Sequence, residues 1–207
     1  MIIGLTGGIG SGKSTIARQL REMGYAVYDT DSEAKRLIVE DVNLRKQMEQ
    51  LFGKEVYKDG VYQTAMVAQR VFADRLLLAQ LNAIVHPAVK ADILRWAQTI
   101  NLATPRYTTP HYATKGLGVD LCFVECAILF QAGFDVLCDQ VIVVTAPEDV
   151  RINRVIARDA SNIEKVRARM RAQEADKDLQ RAHIIINNDG TTPIPTLCEE
   201  IISLLTK

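Results

Sequence analysis

Gly7-Gly8-Ile9-Gly10-Ser11-Gly12-Lys13-Ser14 follows the spacing G-x-x-x-x-G-K-S, and the rest of the chain is read outward from it. Glycines let the backbone reach positive φ and turn successive N–H groups toward one small volume, which suits a phosphate. Lys13 adds a mobile cation for β- and γ-phosphates, and the Ser14 hydroxyl is placed to ligate Mg²⁺. Upstream, Ile2, Ile3 and Leu5 form a short apolar run suited to a buried strand. Downstream, Ile16, Ala17, Leu20 and Met23 recur at helical spacing until Gly24 supplies a stop. The helix therefore begins inside the motif and aims its positive end at the phosphates.

Bulk properties bound the reading. A chain of 207 residues buries one sizeable core, with room for an inserted subdomain. Lys plus Arg and Asp plus Glu both number 25, so no overall field favours a nucleic acid or an anionic membrane, and neither is expected as a partner. No run approaches 18 apolar residues, and Met1 leads directly into a core strand without space for a signal peptide. A cytoplasmic location is expected. Cys122, Cys126, Cys138 and Cys198 have no metal-ligand spacing, the closest pair being C-x3-C, and read as reduced, mostly buried thiols.

Five apolar runs have the length and β-branched character of buried parallel strands: 2–6, 25–28, 121–126, 140–145 and 183–187. Helical patterns separate them, which predicts an α/β fold with a doubly wound, five-stranded parallel sheet. The spacing is uneven, since more than ninety residues separate the second run from the third. Most of that interval predicts helices, at 32–39, 44–52, 64–72, 75–85 and 88–100, broken at Gly53 and at the Lys58-Asp59-Gly60 turn. Such an insertion reads as a helical subdomain covering a substrate. Residues 103–119, rich in threonine with two prolines and two glycines, read as a returning loop.

Several side chains carry candidate chemistry. The second strand ends at Asp29-Thr30-Asp31; if it lies beside the phosphate-loop strand, one carboxylate can accept a proton and the other can orient Mg²⁺ through water. Asp31-Ser32-Glu33 is equally a good helix N-terminus, and capping can coexist with chemistry. Residues 151–171 hold seven basic side chains against two acidic ones. Ser161-Asn162-Ile163-Glu164 is a capping box there, so the region reads as two helices joined at 159–161. Arg154 and Arg158 share one helical face and suit a mobile lid over transferring phosphate, whereas Arg167, Arg169 and Arg171 read more as a solvated face. Glu125 closes the third strand, where a carboxylate can hold magnesium through water, and Asn187-Asn188-Asp189-Gly190 reads as a turn and a wall beside a nucleotide base. His86 precedes Pro87, which biases it toward an extended or turn conformation at a helix boundary and toward a structural role.

Taken together, these motifs resemble the dephospho-coenzyme A kinase family over nearly the whole length. The run Gly4 to Thr15, Asp29-Thr30-Asp31, Leu81-Asn82 followed by His86-Pro87, Arg154-x3-Arg158-Asp159 and Ile186-Asn187-Asn188-Asp189-Gly190 carry the likeness. The resemblance implies a P-loop NTPase fold of the nucleoside-monophosphate-kinase type: core 1–31, 120–147 and 182–207, helical substrate subdomain and return loop 32–119, lid 148–181. It implies ATP-dependent phosphorylation of the ribose 3′-hydroxyl of dephospho-CoA, with ATP and dephospho-CoA as partners, Mg²⁺ as cofactor and no obligate protein partner indicated. Under it, Asp31, Lys13, Arg154 and Arg158 are catalytic. Gly8, Gly10, Ser11, Gly12, Lys13, Ser14, Thr15, Asn187, Asp189 and Gly190 bind ATP; Asp29, Asp31 and His86 face the substrate; Ser14 holds the metal. Ala127-Ile128-Leu129-Phe130-Gln131 departs from the family's Pro-Leu-Leu-Phe-Glu, and a glutamine cannot serve as base or anionic ligand, so that glutamate's role is not carried over. The alternatives are another P-loop kinase, acting on a nucleotide or on shikimate, and a nucleotide-dependent switch. The long insertion and the His-Pro pair argue against the first, and the lack of an Asn-Lys-x-Asp string against the second.

Overall fold

The computed structural model describes residues 1–103, 121–160, 162–173 and 179–206. In chain order its elements are β1 (Ile2–Thr6), α1 (Lys13–Glu22), β2 (Ala26–Asp29), α2 (Thr30–Glu40), α3 (Val42–Phe52), β3 (Tyr57–Lys58), β4 (Val61–Tyr62), α4 (Thr64–Ala73), α5 (Arg75–Ala103), β5 (Cys122–Glu125), β6 (Gln140–Thr145), α6 (Glu148–Asp159), α7 (Ile163–Gln173), β7 (Ile184–Asn187) and α8 (Ile194–Leu205). The chain divides into two compact units, Met1–Tyr28 with Ala97–Lys207, and Asp29–Trp96. The predicted return loop at 103–119 falls, past Ala103, outside the described residues.

In the first unit five strands hydrogen-bond in the order β2-β5-β1-β6-β7. β1 runs parallel to both β5 and β6, and β6 parallel to β7. Burial explains the order: β5 and most of β1 and β6 are covered on both faces, while β2 and β7 are mostly only partly covered and sit at the edges. The order corrects one expectation. β2 does not lie beside β1; the fully buried β5 takes that place, so Glu125 rather than Asp29 ends the strand next to the phosphate-loop strand.

Ile16, Ala17 and Leu20 of α1 and Leu197, Cys198 and Ile201 of α8 pack on Ile3, Leu5, Phe123, Ile142 and Ile186 of the sheet. Fully burying such side chains contributes about 1.5–3 kcal/mol each, which fixes the start of α1 and hence the loop before it. A smaller core joins α6 to α7 through Ile152, Val155 and Val166, with Ile9 of the phosphate loop packed against it.

The second unit is largely helical. Its break at 58–60 is a two-residue hairpin turn between β3 and β4, with Asp59 and Gly60 at φ 51° and 80°. Sequence periodicity missed these two-residue strands. The predicted helices 75–85 and 88–100 form one helix, α5, with Pro87 inside it. His86 is therefore helical and not at a boundary, a second correction. Proline lacks the N–H that would bond the carbonyl four residues back, but Val85, Val89 and Ile93 bury one stripe of α5 across it, and that burial outweighs the lost bond. Among the described residues no helix is long and apolar enough to cross a membrane.

Candidate active site

The loop after β1 is folded by its own backbone and by α6. Ser11 N–H donates to Gly8 O at 3.0 Å, and Gly12 O receives the N–H groups of Thr15 and Ile16 as α1 begins. A Cβ at Gly10 would lie 2.5 Å from Arg151 O, so only glycine allows α6 to close on the loop. The N–H groups at the start of α1, which have no partner within the helix, open into a cavity of about 390 Å³. Gly8, Gly10, Ser11, Gly12, Lys13, Ser14 and Thr15 line it, together with Arg154, Val155 and Arg158 of α6, Asn188 and Ile194. The predicted loop residues and both predicted arginines are thus gathered in one place.

Beneath the loop, Glu125 is 7% exposed. Ser14 Oγ donates to Glu125 Oε1 at 2.6 Å, and Lys13 Nζ stands 3.7 Å from the same oxygen. A buried carboxylate thus holds both the loop cation and the hydroxyl. Among the described residues no group of three or more His, Cys, Asp or Glu side chains is placed to hold a metal ion. The Ser14 hydroxyl and the Glu125 carboxylate do fit Mg²⁺, which binds hard oxygens through one or two protein ligands and takes the rest from phosphate and water.

The two arginines differ in their partners. Arg154 bonds only neutral oxygens among the pairs resolved: Nη1 donates to Asn188 O at 2.9 Å and reaches Ser11 O at 3.4 Å, and Nη2 donates to Asn188 Oδ1 at 3.3 Å. Arg158 is held by Asp159, with Nε to Oδ1 at 2.7 Å and Nη2 to Oδ2 at 3.1 Å. The pair raises the Arg158 pKa and holds Asp159 far below the carboxylate range, with Arg169 as a second partner at 2.9 Å. Arg167 pairs with Glu148 at 3.2 Å. Arg167 and Arg169 thus tie α7 to α6 and are not a merely solvated face, although such exposed pairs contribute little stability. Ser161 of the predicted capping box lies outside the described residues; Asn162 Oδ1 accepts Lys165 N–H at 2.9 Å and caps α7.

After β7 the side chain that reaches the cavity is Asn188. Asn187 Nδ2 donates to Asp189 Oδ2 at 3.2 Å, and Asp189 Oδ1 accepts from Thr191 N–H and Oγ, which holds its carboxyl below the usual range. Asn187, Asp189 and Gly190, expected beside the base, are not among the residues lining the loop cavity; they form the turn that presents Asn188 to it. Ile9 is clasped as well: its N–H donates to Gln173 Oε1 at 2.6 Å, and its carbonyl accepts Arg151 Nε at 2.9 Å. Gln173 Nε2 also reaches Ala127 O at 3.1 Å. Gln131, by contrast, is exposed.

In the second unit Asp29 is the cap of α2, a role the sequence offered to one of the two aspartates. Its Oδ1 accepts from Asp31 N–H and Ser32 N–H at 3.0 and 3.2 Å, and Oδ2 from Ser32 Oγ at 3.1 Å. Asp31 is exposed in the first turn of that helix. Burial lowers the His86 pKa from its ordinary value.

Sequence reasoning passed over Asn188 and Gln173. Asn188 sat inside a recognised turn whose neighbours drew the binding role, and Gln173 lies 164 positions from Ile9 with no local signature.

Comparison with known proteins places the chain. The family model CoaE, dephospho-CoA kinase, matches residues 1–193. The chain is 38% identical over 208 residues to the dephospho-CoA kinase of Porphyromonas gingivalis, covering 99% of this chain and 95% of that one. It is 37% identical to that of Chlorobaculum tepidum over 92% of this chain and 88% of the relative. Among solved structures, TT1252 from Thermus thermophilus superposes with a TM-score of 0.72 at 33% identity, covering 99% and 96% of the two chains. The dephospho-CoA kinase from Campylobacter jejuni, at 22% identity and TM-score 0.68 over 99% and 96% of the chains, shares the fold. So does a shikimate kinase from Bacteroides thetaiotaomicron, at 13% identity and TM-score 0.55 over 99% and 98%. With a phosphate loop backed by a carboxylate, two arginines over it and full-length likeness in sequence, the chain belongs to the dephospho-CoA kinase family.

Proposed function

We propose that this chain carries out its family's reaction, transfer of the ATP γ-phosphate to the ribose 3′-hydroxyl of dephospho-CoA, giving coenzyme A and ADP, with the loop cavity as the phosphate site. One observation carries the reading: the loop residues, Lys13, Ser14, Arg154 and Arg158 line a single cavity. Loop amides and Lys13 hold the β- and γ-phosphates, and the charged and polar groups of the cavity stabilise charge that spreads over the equatorial oxygens in transfer. Ser14 and Glu125 are the oxygens that would hold Mg²⁺. The metal, when bound with ATP, supplies charge neutralisation between the β- and γ-phosphates.

Asp31 accepts the 3′-hydroxyl proton as the new O–P bond forms and the bond from the bridging oxygen to the γ-phosphorus breaks, leaving ADP. Besides capping α2, Asp29 would orient Mg²⁺ or its water, and His86 faces the substrate from the helical subdomain 32–119. Arg154 meets the phosphate directly, and Arg158 does so after exchanging Asp159 for it. Residues 148–181 act as the lid and keep water from competing as acceptor. The protein works in the cytoplasm on the small-molecule substrates ATP and dephospho-CoA, with no obligate protein partner indicated; its four cysteines, none of them paired, suit that reducing compartment.

The test is ADP release with dephospho-CoA, AMP, adenosine and shikimate side by side, followed by phosphorus NMR of the product. Turnover confined to dephospho-CoA with phosphate on the 3′-oxygen is expected. Preferred turnover of AMP or shikimate, or phosphate on the 2′-oxygen or the pantetheine end, refutes the assignment.

A further inference from the structure

Asn188 is 2% exposed, and all of its polar groups are engaged where the phosphate loop meets α6. Its N–H donates to Thr145 O at 2.8 Å, which ties it to the end of β6. Its Nδ2 donates to Ser11 O at 2.8 Å, while Oδ1 and the main-chain carbonyl accept the two arms of the Arg154 guanidinium. A Cβ at Gly12 would stand 2.2 Å from Asn188 Nδ2, so the amide occupies the space that this glycine leaves open.

We propose that Asn188 is a positioning residue for phosphoryl transfer, its carboxamide setting the phosphate loop and the Arg154 guanidinium at one fixed spacing before nucleotide arrives. The inference rests on the reading of this cavity as the phosphate site. An arginine is long and loses rotamer freedom when it is ordered against a ligand; one already held in its fork needs no such ordering at the moment of reaction. Because the acceptors are neutral oxygens, the fork is oriented without surrendering its charge. The guanidinium carries five N–H groups, more than these contacts use, so donors remain for phosphate oxygens. The loop gains in turn: the Ser11 carbonyl is drawn toward Asn188, which keeps the neighbouring amides turned to the cavity.

Steady-state kinetics of Arg154→Ala, Asn188→Ala and the double variant test the assignment, with calorimetric titration of ADP counting folded sites so that kcat refers to competent enzyme. Arg154→Ala is expected to lower kcat by about 10²-fold. Asn188→Ala is expected to lower kcat by about tenfold or more, with a smaller change in the KM for ATP. The double variant is expected to lose clearly less than the product of the two single losses, since part of the Asn188 effect runs through that arginine and only the remainder through the loop. Should Asn188→Ala not fold, Asn188→Ser, which is neutral and keeps a polar group at the site, enters the same cycle. Independent losses that multiply in the double variant, or a normal kcat in folded Asn188 variants, overturn the positioning role. A normal kcat in Arg154→Ala alone overturns the phosphate reading and the inference with it, and that result is seen without any Asn188 variant.

Discussion

Glu125→Gln tests the charge balance under the phosphate loop. The substitution keeps an oxygen for the Ser14 hydroxyl, now at 2.6 Å from Oε1, but removes the anion that stands 3.7 Å from Lys13 Nζ. At that separation and an effective dielectric of about 20, the attraction is about 4 kcal/mol before the cost of burying the carboxylate is subtracted. The side chains of Lys13 and Glu125 are only 17% and 8% exposed, so screening is weak. The Ser14 bond also falls from a charge-assisted to a neutral one, a loss of about 1 kcal/mol. A net destabilisation of about 1–3 kcal/mol is expected for the ligand-free protein, which at about 2–4 °C per kcal/mol for this size lowers Tm by roughly 3–10 °C. Nucleotide binding should move the other way. With the competing anion gone, Mg²⁺-free ADP binds several-fold more tightly by calorimetry, and the gain from added Mg²⁺ shrinks because one of its proposed oxygens has lost its charge. An unchanged or raised Tm, together with an undiminished Mg²⁺ effect, would refute the pairing and the metal assignment together.

Other perturbations separate chemistry from scaffolding. Asp31→Asn keeps shape but leaves the 3′-hydroxyl proton without a strong acceptor, so kcat is expected to fall by roughly 10²–10⁴ with ADP affinity retained; normal turnover in that variant removes Asp31 as base. Asp29→Ala loses an N-cap and should cost about 1 kcal/mol of stability, whereas Asp29→Asn caps α2 nearly as well and should keep Tm while losing activity; equal destabilisation in both would show the carboxylate's charge, not its cap, to matter for folding. Burial lowers the His86 pKa, so the unfolded chain binds the extra proton first; the stability held above about pH 6.5 should decline as pH falls below it, and His86→Gln should flatten that slope in Tm measured from pH 5 to 8. Arg158→Ala should lower kcat more than it raises KM, while Arg169→Ala, which only removes one partner of Asp159, should change turnover little; comparable small effects at both positions would make Arg158 a structural partner of Asp159.

Local chemistry made the first turn of the fold legible. Loop glycines, a strand before them and an amphipathic helix after them are all written within the first 24 residues, and burial of Ile16, Ala17 and Leu20 follows that periodicity. Parallel strands were legible for the same reason, as short β-branched runs between helical patterns. Their order was not, because which strand lies beside β1 depends on competition for the doubly covered central places, and residues 120 positions apart decide it. Pro87 misled for a related reason: its local preference is real, but a buried stripe along α5 overrides it. The site divides in the same way. Lys13, Ser14 and the arginines announce themselves by type and spacing, whereas Asn188 and Gln173 act through contacts made to main-chain atoms, which any sequence offers and none marks.

That division bears on how a neutral chain binds a highly charged nucleotide. With 25 basic and 25 acidic residues no global field draws phosphate in, so the attraction must be built locally from cations whose charge is left uncancelled. Lys13 is matched to Glu125 and Arg158 to Asp159, and each of these pairs must loosen before its cation can be given fully to phosphate. Arg154 is different, since carbonyls and a carboxamide orient it and, among the pairs resolved, no carboxylate takes a hydrogen bond from it, although Asp189 feels its charge. On the proposed phosphate reading, an anion entering the cavity is expected to meet Arg154 and the loop amides at a smaller exchange cost than the ion-paired cations. Lys13 and Arg158 follow by trading carboxylate for phosphate, an exchange closest to balance when the incoming charge is largest. On that reading, a site graded in this way is expected to favour the larger incoming charge without any surplus of positive charge in the chain as a whole.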